Sequence, residues 1–148
     1  MSNIECNYDT VKLLEECDSG SKMAVSSIDE MLGSVNDEEL KSYMTESKEH
    51  HEKLGDELHE ILLECGADDK APNPIAKGMS WFKTNMKLSR DESDKTVAEL
   101  ITDGCDMGIK SLYEYLHKYS GANDKVKDIC KEIIDIEEQL RKDVQKYL

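Results

Sequence analysis

The strongest constraint on this chain is the spacing of its apolar residues, which recur three and four positions apart through four long segments. That period lines up one face of an α-helix turn after turn and leaves the other face polar, so each segment must bury a stripe against a partner. From Asp9 to about Leu32 the stripe reads Val11, Leu14, Val25, Ile28 and Leu32, with Asp18 and Ser21 in two of its places. Gly33 should stop this helix, and Asn36 with Glu39 three residues on resembles a capping box for the next. The second stripe runs Leu40, Met44, Ser47, His51, Leu54, Leu58, Ile61 and Cys65, ended by Gly66. A third helix, capped by Ser93 or Asp94, carries Ala98, Ile101, Cys105, Gly108, Leu112, Tyr115 and Tyr119. After the turn SGAN at 120–123, a fourth presents Val126, Ile129, Cys130, Ile133, Ile136, Glu137, Leu140 and Val144.

Connection lengths then select the topology. The short joins after the first and third helices force antiparallel hairpins, whereas the segment from 66 to 92 is long enough to climb the height of a bundle. Its first part, GADDKAPNP, is a loop marked by Pro72 and Pro74; IAKGMSWFKTNMKL reads as a short amphipathic helix whose Trp81 and Phe82 should pack on the bundle. The prediction is an all-α four-helix bundle, two antiparallel hairpins joined by a long crossover carrying a short extra helix. A chain of 148 residues fits a single domain over 1–148.

An internal repeat supports the same picture. Shifting by 84 positions aligns GSKMAVSSIDEML (20–32) with GCDMGIKSLYEYL (104–116), matching Gly20 to Gly104, Met23 to Met107, Ser27 to Ser111, Glu30 to Glu114 and Leu32 to Leu116. The second and fourth helices align more weakly at a shift of 86. The chain reads as a duplicated hairpin.

Composition narrows the partners. A net charge of −14, from 33 acidic and 19 basic side chains, repels phosphate backbones and anionic headgroups, so neither nucleic acid nor a membrane is an expected partner. The five cysteines at 6, 17, 65, 105 and 130 are odd in number and show no C-x-x-C spacing, which predicts reduced, mostly buried thiols. With no basic leader and no long apolar run in MSNIECNYDT, a soluble cytoplasmic protein is expected.

A duplicated helical hairpin with a long central crossover resembles the ferritin-like fold. The order of ECDSG, LLECGADD, GMSW, DGCDMG and EEQLRKDVQ along the chain resembles, more narrowly, a bacterial family of ferritin-like bundles of unknown function. Metal-binding members of that fold carry one Glu on each of two helices and a Glu-x-x-His pair on each of the others, bridging two metal ions. Here that set is depleted: Lys48 stands where the glutamate before His51 belongs, Ile134 precedes Glu137 by three, and Ser21 and Cys105 occupy carboxylate positions.

What remains is a polar layer. In an antiparallel hairpin, facing residues have a nearly constant sum of positions, which sets Asp18 opposite His51 and Cys105 beside Glu137 or Glu138. Asp18, Ser21, Lys48, His51, Cys105 and Glu137 should therefore share one level. One reading is a buried network in which Asp18 accepts from His51 and Lys48 neutralises Glu137, since buried charges are costly unless paired. A second is one transition metal ion held by His51, Glu137 and Cys105, with Asp18 as a further candidate ligand; a third leaves Glu137 and Lys48 facing solvent. His50 and His59 are expected to be exposed, His117 beside Lys118 to be a favourable charge near a helix C-terminus, and Met23, Met44 and Met107 to fill the core.

No nucleophile–base set, phosphate loop or cofactor fingerprint appears. The expectation is a non-enzymatic ferritin-like bundle without a complete di-iron site, acting as a structural or interaction protein and self-associating, as a dimer in the simplest case. No cofactor is predicted. The alternative is a metal-binding ferritin-like protein, in iron handling or as an oxidase, holding Fe, Mn or Zn on the reduced ligand set. A binder of helical peptides would require an open apolar cleft.

Overall fold

The computed structural model describes residues 4–67 and 93–148. Within them lie four α-helices and no strand: α1 (Tyr8–Leu32), α2 (Glu38–Glu64), α3 (Asp94–Lys118) and α4 (Asp124–Val144), the last followed by a 3-10 turn at Gln145–Tyr147. The expected crossover helix with Trp81 and Phe82 lies outside the described residues. No described helix is long and apolar enough to cross a membrane.

Each helix opens on a short polar side chain that caps an orphan backbone donor. Asn7 accepts from Thr10 N at 2.9 Å, Asp37 from Leu40 N at 2.9 Å, Ser93 from Thr96 N at 3.2 Å and Asn123 from Lys125 N at 2.9 Å. The second helix thus starts one residue later than the Asn36 box predicts, because Asn36 N is taken by the Asp94 carboxylate instead. Gly66 closes α2 with φ +66°, a left-handed conformation that glycine adopts without steric cost.

Contacts at the two ends fix the directions of the helices. At one end, Asn7 Nδ2 donates to Gly121 O at 3.0 Å, Gly121 N to Asp9 at 2.8 Å and Asn123 N to Thr10 Oγ1 at 2.8 Å, tying the start of α1 to the α3–α4 turn. At the other end, the Asp94 carboxylate accepts from Asn36 N and Asp37 N at 2.8 and 3.1 Å, and Tyr147 Oη donates to Asp37 at 2.5 Å. Helices α1 and α4 therefore run one way and α2 and α3 the other. α1 packs chiefly on α2, α3 on α4, and α2 on α4.

Two apolar cores result, one at each end. The first gathers Leu13, Leu14, Cys17, Leu58, Val126, Ile129, Cys130 and Ile133; the second gathers Met31, Leu40, Met44, Val97, Ala98, Ile101 and Val144. Of the methionines expected inside, Met44 is fully buried, but Met107 is 56% exposed because its place on α3 faces away from both cores.

The cysteine expectation is corrected. Cys6 and Cys65 form a disulfide, with Cα atoms 5.5 Å apart, while Cys17, Cys105 and Cys130 are free and buried as expected. The cause is the hairpin itself: it returns the chain just past α2 to the point just before α1, so two cysteines 59 positions apart meet at one end of the bundle.

Candidate functional site: a groove with a His–Glu floor

Between the two cores the described residues leave the bundle open on one side. A groove of about 470 Å³ runs between α1 and α3, with Ile133, Glu137 and Leu140 of α4 and His51 of α2 beneath it. Its walls are the two copies of the sequence repeat: Gly20, Met23, Ala24, Ser27, Ile28 and Met31 on α1 stand at the positions of Gly104, Met107, Gly108, Ser111, Leu112 and Tyr115 on α3. Small residues at this spacing lie on one helix face, one above the other. Here they leave a trough where larger side chains would have closed the seam.

The floor is the polar part. His51 Nε2 and Glu137 Oε1 are 4.0 Å apart, the histidine 2% and the glutamate 12% exposed. These residues are also equivalent in the repeat, at the shift of 86 that relates α2 to α4. The separation is too long for a hydrogen bond. His51 Nδ1 and Glu137 Oε2 are buried and have no hydrogen-bond partner among the described residues. Gly108 makes room for the glutamate, because a Cβ at that position would overlap its carboxylate.

Burial sets the protonation of the pair. Desolvation lowers His51 to about 4, with His50 adding repulsion, so the imidazole is neutral at pH 7. The same effect raises Glu137 to about 8, so the carboxyl keeps its proton there. Burial, with Glu137 second, also pushes the Cys105 thiol up. The floor at neutral pH is thus three uncharged groups, a neutral alternative to the ion pair that low dielectric would penalise.

Of the other members of the expected layer, Asp18 and Lys48 are paired elsewhere. Asp18 is buried, yet its carboxylate meets Lys22 at 2.9 Å and not His51; a lysine one turn along the same helix reaches it without crossing the interior. Lys48 meets Asp29 at 2.5 Å and Glu52 at 3.7 Å and does not neutralise Glu137, because its side chain is 26% exposed and extends toward α1's outer carboxylates. Ser21 and Ser47 are buried with hydroxyls that have no partner among the described residues. His50, His59 and His117 are exposed.

The donor set does not fit the two-metal centre of the ferritin-like pattern. His51, Glu137 and Cys105 line the groove, but Ser21 and Cys105 stand at the carboxylate positions of α1 and α3, and the one buried aspartate of α1, Asp18, is held by Lys22. Among the described residues no three His, Cys, Asp or Glu side chains form a group that could hold a metal ion. The groove itself escapes sequence reasoning, although Gly20 and Ala24 facing Gly104 and Gly108 in the repeat are the signal that could have revealed it. Compared with family models, with curated proteins and with solved structures, the chain matches none.

Proposed function

We propose that this protein is a ferritin-like four-helix bundle that works without catalysis, as an interaction protein whose binding face is the α1–α3 groove. The observation that carries this reading is the pairing of an open apolar trough with a floor whose polar atoms, His51 Nδ1 and Glu137 Oε2, are buried and orphaned. Unsatisfied buried groups cost stability, and a fold that keeps them at a concave surface is organised for something that binds there.

The ferritin-like assignment draws on helix direction. α2 ends beside Cys6 at one end of the bundle and α3 begins beside Asn36 at the other, the placement of two hairpins that a ferritin-like bundle would have. Self-association as a dimer remains part of the reading, checked by sedimentation. The Cys6–Cys65 bond counts against a cytoplasmic setting, since reducing pools keep accessible cytosolic cysteines as thiols.

Metal analysis tests the proposal most directly. Protein purified without a tag should carry well under one equivalent of iron, manganese or zinc and take up none on titration. Near-stoichiometric metal that disappears in the His51→Ala, Glu137→Ala double variant would replace this reading with the metal-binding one.

A further inference from the structure

From the shape and chemistry of the groove we infer that it takes a lipophilic monocation, a secondary amine whose charged nitrogen sits between two apolar arms and rests on Glu137. This rests on the groove's being a binding face, and it adds the class of ligand.

The placement of the acid dictates where the charge must lie. The α1 wall runs from Glu16 to Met31, about 22 Å at the helical rise, and Glu137 lies under its middle, beside Gly108. Toward one end the floor is Leu140 with Ile101 and Met31 above it; toward the other it is Ile133 with Leu112 and Tyr115. A polar group at the Leu140 tip would be buried against hydrocarbon, and one at the other tip, where Glu16 and Ser19 stand, would leave His51 and Glu137 orphaned beneath an apolar arm. One with a central nitrogen fills both halves and meets the acid.

The sign of the charge follows from the surroundings. The orphaned atoms are a carboxyl oxygen and a neutral imidazole nitrogen, and no lysine or arginine of the described residues lines the groove with them: Lys48 is held by Asp29 and Glu52, and Arg141 by Asp106 at 2.7 Å. Glu137, a neutral acid at pH 7, releases its proton to solvent as the ammonium binds, so that one N–H makes a charge-assisted bond to the carboxylate and the other is left for His51. A net charge of −14 draws cations to the surface and repels anions. An anionic amphiphile would find no lysine or arginine among the described residues that line the groove, only the acids Glu16 and Glu137.

The test uses the full chain and two molecules of nearly one shape: dihexylamine, protonated at pH 7, and N-hexylhexanamide, uncharged. Isothermal titration calorimetry should give one site for the amine, with the amide binding at least about thirtyfold more weakly, the size expected when a buried charged pair loses a partner. Glu137→Gln keeps the side chain's shape and should bring the amine down to the level of the amide, while leaving the amide unchanged. Ala24→Leu, which fills the trough from its wall, should weaken both. Circular dichroism confirms that each variant is folded.

Equal affinity for the two probes, amine binding that survives Glu137→Gln, several weak sites set by surface charge, or no binding would each overturn the inference. A metal-free protein that ignores the amine defeats this inference alone. Stoichiometric metal on His51 and Glu137 defeats the reading beneath it.

Discussion

The ends of this bundle and its waist are built on opposite terms. At the ends, Leu13, Leu14, Leu58 and Val126 on one side and Leu40, Met44, Val97 and Val144 on the other are almost wholly buried in hydrocarbon. Even the buried polar group there is satisfied, Thr10 Oγ1 accepting from Asn123 N. At the waist, Asp18, Ser21, Ser47, His51 and Glu137 each keep a buried side-chain atom without a partner among the described residues. The ends hold the fold and the waist draws on it, so substitutions of similar size should have opposite signs in the two places.

The largest effect belongs to the ends. Leu58 has no exposed surface and sits among Leu14, Cys17 and the α4 residues of the first core. Leu58→Ala should lower unfolding free energy by about 3 kcal/mol, within the range of buried leucine truncations, read from the midpoint of urea unfolding at constant slope. A loss under about 1 kcal/mol would mean that the helices close over the gap, and the contrast with the waist would fail.

At the waist, Glu137→Gln should stabilise, and the gain should depend on pH. The folded-state value of Glu137 is raised from 4.5 to about 8, so between those limits the native protein holds a proton that the unfolded chain has released. Stability therefore falls as pH rises through that window, by about 1.4 kcal/mol per pH unit from this group alone. Gln removes the fall. The variant should match the parent near pH 4.5 and exceed it by roughly 2–4 kcal/mol at pH 7. His51 acts in the opposite direction: lowered from 6.5 to about 4, it stays neutral in the fold while the unfolded chain takes up a proton, so it removes stability as pH falls through that range. Where the windows overlap the two nearly cancel, and the parent's stability from this pair should be flat between about pH 4.5 and 6.5. A constant difference between parent and Glu137→Gln across pH 5 to 8 would place the carboxyl in contact with water.

These contrasts show which parts of the molecule can be read from residue order. Burial was legible where the apolar stripe is dense: the seam positions Ser47, His51 and Cys105 and the caps Ser93 and Gly66 are where the helical period puts them, whereas in the sparser α1 the seam residues Val11 and Val25 are half-buried and Leu13 and Cys17 lie inside instead. Pairing was not, since Asp18 chose Lys22 and Lys48 chose Asp29 by reach along or across the surface, which a facing-residue rule ignores. That same rule, applied to Cys6 and Cys65, would have found the disulfide; the missing C-x-x-C spacing directed attention away from it. The groove depends on the distance between α1 and α3, which side-chain size at Gly20, Ala24, Gly104 and Gly108 controls but periodicity does not report.

The smallest expected effect gives the cleanest comparison, because it sets two buried hydroxyls of similar size against each other. Ser47 lies in α2 and Thr10 in the first turn of α1; both are buried, but only Thr10 has a described partner, at 2.8 Å. Removing a hydroxyl that bonds leaves Asn123 N orphaned, so Thr10→Val should cost about 1–2 kcal/mol. Removing one that does not bond relieves a desolvated group and places a better helix former in α2, so Ser47→Ala should gain roughly 0.5 kcal/mol. Thermal unfolding of the two variants beside the parent reads both signs in one experiment. If Ser47→Ala loses stability, its hydroxyl is bonded in solution, by water or by a neighbour, and the waist is less strained than its orphaned atoms imply; if it gains while Thr10→Val loses, the polar layer is kept at a cost to the fold and its reason lies in the groove above it.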